Sequence, residues 1–157
     1  MLSEGDAAPD FVLPGSDGEE VREYMLAEFT RDGPVVLAFY MFDFHPTCTE
    51  ELCTLQDLGW FTLYPDATVL AVGTDSAFSH QAFAREHGIE FPLLSDGTGA
   101  VSERYGVCYE EFQGHRFVPK RSVFVVDADT KVRYRWVADD PGALPDWDDV
   151  QSVLDGL

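Results

Sequence analysis

Hydrophobic positions in this chain fall into short blocks separated by turn residues, and the period inside the blocks changes along the sequence. Val35 to Tyr40, V-V-L-A-F-Y, is a continuous apolar run, the pattern of a strand covered on both faces. Thr68 to Thr74 predicts a second buried strand. Ser122 to Val126 and Val132 to Val137 predict two more, joined through D-A-D-T as an antiparallel hairpin. From Cys48 to about Leu63 the positions Leu52, Leu55, Gly59 and Leu63 recur at helical spacing. Thr47 with Glu50 forms T-x-x-E, a capping box that places the helix start at the cysteine. Phe78 to His87 predicts a helix ended by Gly88. F-P-L-L-S-D leads into a short helix from Ala100 to Tyr105 stopped by Gly106, and Trp147 to Leu154 predicts a terminal helix. Near the N-terminus, Phe11 to Leu13 and Glu20 to Arg22 flank G-S-D-G and predict a hairpin. Strands alternating with helices and closed by a hairpin argue an α/β fold, a layered sheet with helices on both faces. No repeat, linker or low-complexity tract interrupts the pattern, so residues 1–157 are expected to form one domain.

Composition supports a packed core, with 45% hydrophobic and 13% aromatic residues in 157. No charged-then-apolar leader opens the chain and no apolar run approaches the roughly 20 residues of a membrane span, so a cytoplasmic protein without membrane association is expected. Charge is the stronger signal. Twenty-nine acids against 10 Lys plus Arg give a formal net charge of −19. Lysine contributes only Lys120 and Lys131, and nucleic acid is excluded as a partner because phosphate neutralisation needs basic clusters. The acids are spread along the whole length. Their mutual repulsion is relieved at molar salt, where the screening length is about 3 Å, and this points to a high-salt cytoplasm.

Three cysteines, Cys48, Cys53 and Cys108, are an odd count in a chain large enough to fold without staples, so reduced thiols with at least one doing chemistry fit better than a disulfide framework. Cys48 follows a buried strand and falls at a helix start, where unpaired N–H groups and the macrodipole favour a thiolate. Glu50 and Glu51 oppose that ionisation, so a cation is expected nearby. A buried bystander thiol is the plain alternative, made less apt by the polar flanks His45, Thr47 and Thr49. As metal ligands, His45, Cys48, Cys53, Cys108 and His115 lack a paired zinc spacing, and no nucleophile-elbow glycines suggest a hydrolase. On an intact helix Cys48 and Cys53 lie about 140° apart around the axis and about 7.5 Å along it. That exceeds what a disulfide spans, so a bond between them requires the first turns to unwind. A packed core thiol is the alternative for Cys53, and Cys108 has a structural default reading too.

Several ordered pieces of the chain resemble the peroxiredoxins of the thioredoxin-like superfamily. They are A-P-D-F-x-L-P from Ala8, V-V-L-A-F-Y from Val35, P-T-C-T-E-E from Pro46, D-S-A-F-S-H-Q-A-F-A-R-E-H-G-I-E-F-P-L-L-S-D from Asp75, and R-S-V-F-V-V-D from Arg121. The likeness runs from Gly5 to Trp147. It implies a thioredoxin-like fold: a central mixed β-sheet, helices on both faces and an N-terminal β-hairpin. Matched by position, Cys48 stands for the peroxidatic cysteine, Arg121 for the active-site arginine and Glu51 for a supporting acid. Cys53 falls where the bacterioferritin-comigratory-protein subgroup keeps its resolving cysteine, with Cys108 as second choice. The family pattern P-x-x-x-T-x-x-C reads M-F-D-F-H-P-T-C here, so Met41 replaces the shielding proline and His45 the orienting threonine. His45 offers a donor, and as imidazolium it would further favour the thiolate; Thr47 is a substitute hydroxyl unless it is spent as the helix cap.

The resemblance therefore implies a thiol peroxidase that reduces hydrogen peroxide or alkyl hydroperoxides through a cysteine sulfenic acid. A thioredoxin or similar dithiol reductant would recycle it, with no cofactor or metal, in a monomer or homodimer. The alternative is a redoxin-like domain with little peroxidase turnover, acting as a redox sensor or partner-binding module. His80 is expected to cap or pack rather than catalyse. Trp60, Trp136 and Trp147 read as core or edge aromatics, and His87 and His115 carry no pairing signal.

Overall fold

The computed structural model describes residues 2–157, with the backbone alone at 61 and 62. The elements in chain order are β1 (Val12–Ser16), β2 (Val21–Met25), α1 (Leu26–Thr30), β3 (Val35–Phe39), α2 (Pro46–Asp57), α3 (Trp60–Leu63), β4 (Thr68–Gly73) and α4 (Ala77–His87). They continue with β5 (Leu93–Ser95), α5 (Ala100–Arg104), β6 (Cys108–Phe112), β7 (His115–Pro119), β8 (Ser122–Val126), β9 (Val132–Val137) and α6 (Trp147–Asp155). Among the described residues seven strands form one sheet in the order β2-β1-β5-β4-β3-β8-β9, while β6 and β7 make a separate ribbon. β3, β4 and β5 pair in parallel; β8 and β9 on one side and β1 and β2 on the other are antiparallel. The sheet is thus mixed, with an N-terminal hairpin at one edge.

Alternation along β3 explains why its run is apolar throughout. Val36 and Ala38, with Tyr40 just beyond, face a cluster built with Leu52 and Leu55 of α2, Phe83 of α4 and Trp147, Val150 and Leu154 of α6. Val35, Leu37 and Phe39 face the opposite cluster with Leu26 of α1, Val101 of α5 and Tyr105 just after it. Helices therefore cover both faces. All five β3 side chains are fully buried, each stabilising the fold by about 1.5–3 kcal/mol for the larger aliphatic and aromatic ones. Two glycines permit close approaches: a Cβ on Gly73 would sit 2.9 Å from the Tyr40 ring, and one on Gly15 would meet Leu93 O at 2.6 Å.

The structure moves several expected boundaries. The N-terminal hairpin turns at 17–20, and Gly15 and Ser16 lie inside β1 because β1 also pairs with β5 there. The long helix starts at Pro46 rather than Cys48. It ends at Asp57, since Gly59 adopts φ 68 and separates it from α3. Thr47 is not its cap; the N-cap is His45, with Pro46 in the first helical position, where a missing N–H costs nothing. Strand β5, helix α1 and the β6–β7 ribbon were not foreseen by the hydrophobic pattern. Strands β8 and β9 fall where expected. No helix among the described residues is long and apolar enough to cross a membrane.

Candidate active site

Strand pairing brings the two chief candidates together. In the antiparallel β3–β8 pair Phe39 lies opposite Ser122, so the segment leaving β3 and the residue entering β8 emerge at the same end of the sheet. The first leads through a tight loop into α2 and Cys48; the second is Arg121. Cys48 is the third helical residue and is fully buried. Arg121, only 1% exposed, donates from Nη1 to Cys48 Sγ at 3.4 Å and to Glu51 Oε1 at 2.7 Å. Its Nη2 donates to Pro141 O at 3.1 Å, which fixes the plane of the guanidinium.

One cation thus serves both the sulfur and the carboxyl. Burial pushes the Glu51 carboxyl up to about 7, and Arg121 offsets only part of that rise. Glu51 Oε2 is buried without a hydrogen-bond partner among the described residues, as is Arg121 Nε. Burial alone would draw the guanidinium's pKa down, yet the Glu51 carboxylate and the Cys48 sulfur outweigh it and hold it above its ordinary value. The arrangement places a permanent positive charge beside a fully buried thiol, the setting in which a thiolate is stabilised and charge on an attacked oxygen is offset.

His45 differs from expectation. Its Nδ1 accepts from the Cys48 N–H at 3.5 Å, which requires an unprotonated nitrogen there. Burial first, then the nearby Arg121, lower its pKa. It is therefore a neutral cap at neutral pH and not the imidazolium considered from the sequence. Thr47 is half-buried, and its hydroxyl makes no hydrogen bond among the described residues, so it is free where the capping reading would have spent it. Met41 is fully buried in the same core cluster as Cys48 and fills the proline's place with apolar volume.

Cys53 is half-buried on α2; burial, then Asp57, raises its thiol. Cys48 and Cys53 are both free thiols, in line with the five-residue helical separation. Beyond Cys53, Gln56 Nε2 donates to Glu90 Oε2 at 3.1 Å and Gln56 Oε1 accepts from the Glu90 N–H at 2.8 Å, clamping the far end of α2 to the segment before β5. Cys108 begins β6, half-buried, beside a cavity of about 270 Å³ that Glu103, Glu110 and Phe117 also line. Burial, then Asp96 and Glu103, raise its thiol. His87 and His115, assigned no pairing, make ring contacts: His87 with Phe83 at 4.8 Å and His115 with Phe42 at 4.7 Å.

Sequence reasoning missed Asp43. It lies on the loop between β3 and α2, buried, and accepts from the Tyr40 hydroxyl at 2.6 Å and the Ser79 hydroxyl at 2.8 Å, with His80 Nδ1 at 2.7 Å. Its only sequence signal is an acid between two aromatics, F-D-F, at the end of a core strand.

A buried thiol on the first turn of the helix after β3, beside a guanidinium delivered by β8 of a mixed sheet, marks a thiol oxidoreductase of the thioredoxin-like fold. The chain belongs to the AhpC/TSA family, which matches residues 4–135. A Mycobacterium tuberculosis protein named as a peroxiredoxin is 36% identical over 131 residues, covering 83% of this chain and 82% of that one. The chloroplastic peroxiredoxin Q of Triticum aestivum is 35% identical over 133 residues, 85% of this chain and 58% of the plant protein. Among solved structures, peroxidoxin BcpB from Mycobacterium tuberculosis superposes with a TM-score of 0.84 at 31% identity, covering 100% of this chain and 99% of that one. Fold and family thus agree with the peroxiredoxin resemblance.

Proposed function

We propose that this peroxiredoxin-family chain reduces hydrogen peroxide or alkyl hydroperoxides with Cys48 as the attacking thiolate. The observation that carries the reading is the Arg121 guanidinium, buried and 3.4 Å from Cys48 Sγ. In the first step sulfur forms a bond to the terminal peroxide oxygen, the O–O bond breaks, and the leaving oxygen takes a proton to depart as water or alcohol; Cys48 becomes a sulfenic acid. Arg121 offsets charge on the reacting oxygens. Because His45 engages the Cys48 N–H, the Thr47 amide and hydroxyl supply the remaining donors of the first turn. Glu51 positions Arg121.

Cys53 then condenses with the sulfenic acid, releasing water and forming a disulfide after the first turns of α2 unwind; Cys108 is the second choice. A thioredoxin-like dithiol supplies two electrons by thiol–disulfide exchange and restores both thiols. The high negative charge supports a high-salt cytoplasm, and the chain is read as a single domain, monomeric or a homodimer. A second reading, a sensor with little turnover, is favoured by the complete burial of Cys48 and by Met41 and His45 at the departing positions. Stopped-flow reaction of the reduced protein with hydrogen peroxide in molar salt separates the two. A rate well above that of free cysteine, lost in Cys48→Ser and strongly reduced in Arg121→Met, is expected; a rate equal to free cysteine removes the peroxidase reading.

A further inference from the structure

Along the loop that leads into α2 and Cys48 lies a second buried polar cluster, with no part in the chemistry described so far. His80 is fully buried on α4. Its Nδ1 is 2.7 Å from Asp43 Oδ2, and its Nε2 is 3.0 Å from the backbone carbonyl oxygen of Leu94. Both partners are acceptors. A neutral ring would turn a lone pair toward one of them at bonding distance with no water to intervene, whereas a ring protonated on both nitrogens donates to both. Asp43 already accepts from Tyr40 on one oxygen and from Ser79 on the other, so the shared proton is better placed on the ring than on the carboxyl. The Tyr40 oxygen, 3.1 Å from Nδ1, gives its own proton to Asp43 and leaves a lone pair facing the ring.

We propose that His80 is held as an imidazolium whose buried ion pair with Asp43 fixes the loop entering α2 and cancels carboxylate charge along it. His80 is thus a positioning residue for the thiol. The loop needs such a fixture. Phe44, next to Asp43, adopts φ 65, a left-handed conformation uncommon for a bulky side chain and kept only where surrounding contacts over-determine it. The Asp43 N–H is itself held by Asp75 Oδ2 at 2.7 Å, so the loop is gripped through backbone and side chain together.

The cluster and the thiol also share an electrostatic neighbourhood. The Tyr40 hydroxyl is desolvated and feels the charges of Asp43, Asp75 and Cys48. Facing the pair are Tyr40 from the segment just after β3, Ser79 of α4 and Asp75 from the segment after β4; His115 of β7 acts on Asp75. Without a cation at His80, Asp43 and Asp75 would leave uncompensated negative charge around Tyr40, the same hydroxyl that feels the Cys48 sulfur.

Ring nitrogen NMR of the full-length reduced protein at neutral pH tests the pair directly. Both His80 nitrogens are expected in the protonated form; a bare lone-pair nitrogen on either overturns the proposal. The functional consequence rests on Cys48 being the reacting thiol. His80→Gln is expected to move the pH midpoint of peroxide reactivity upward by about one unit, slowing the reaction about tenfold at pH below that midpoint. Adding Asp43→Asn to it is expected to return the midpoint toward the parent value. A slowing that is the same at every pH overturns the electrostatic role. The ring spectra need no peroxide, so a wrong assignment of Cys48 would abolish the reactivity profiles and leave the spectra intact.

Discussion

Glu51→Gln removes one negative charge from the Arg121 site while keeping an acceptor oxygen in nearly the same place. In the parent protein Arg121 Nη1 bonds Glu51 Oε1 at 2.7 Å and Cys48 Sγ at 3.4 Å, so those two atoms are at most about 6 Å apart. Two unit negative charges at about 6 Å repel by roughly 0.7 kcal/mol in a water-like medium and roughly 3 kcal/mol at an effective dielectric of about 20. Those limits correspond to roughly 0.5 to 2 pH units in the ionisation of the thiol. The carboxyl ionises at about 7, so the repulsion is absent in acid and complete only in mild alkali. The expected outcome is a pH midpoint of peroxide reactivity lowered by roughly 0.5 to 2 units in Glu51→Gln, read by stopped flow and by the ultraviolet absorbance of the thiolate. The ratio of variant to parent rate should rise as pH passes about 7. An unchanged or raised midpoint would refute the reasoning, and would mean that the carboxylate's hold on the guanidinium outweighs its opposition to the sulfur.

Arg121→Met leaves Glu51 buried without its partner, so the carboxyl stays protonated at neutral pH; the loss in chemical denaturation is expected to grow as pH rises into mild alkali, toward about 3–5 kcal/mol, and to be mostly recovered in the Arg121→Met, Glu51→Gln pair. The raised Glu51 pKa makes the folded state bind more protons than the unfolded one between the ordinary 4.5 and about 7. Its contribution is therefore fully present below about 4.5 and lost as pH rises through about 7, an effect of up to roughly 3 kcal/mol. Comparing urea midpoints of parent and Glu51→Gln across that range should show the difference shrinking in the variant. Peptide mapping after one equivalent of peroxide is expected to find a Cys48–Cys53 crosslink that Cys53→Ser abolishes and Cys108→Ser spares. With a formal net charge of −19, the melting temperature is expected to climb steeply as potassium chloride is raised toward molar concentration.

Core strands were legible because burial on two faces leaves a plain signature. V-V-L-A-F-Y and R-S-V-F-V-V-D could hardly be anything but inner strands, and the β8–β9 boundaries follow from D-A-D-T. The β6–β7 ribbon was illegible because it is largely exposed and alternates poorly. Its turn is built on Gln113 and Gly114 at φ 50 and 86, a positive pair that Gln does not advertise. The cap of α2 was misplaced because T-x-x-E competed with a proline at the first helical position, and the proline was the better guide. Arg121 entered through the family likeness, since nothing local in K-R-S tells that β8 lies against β3. The Tyr40, Asp43 and His80 cluster joins loop, strand and helix across some forty positions, a closeness that only the folded sheet creates.

The Gln56–Glu90 clamp holds the far end of α2, while the near end is held by the Arg121–Glu51 pair. The proposed bridge between the helix's two sulfurs would therefore have to be absorbed ahead of Gln56. On the proposed mechanism, oxidation would be a local change of shape ahead of the clamp, and a reductant meeting the oxidised protein would find the remodelled stretch presented on an otherwise familiar surface.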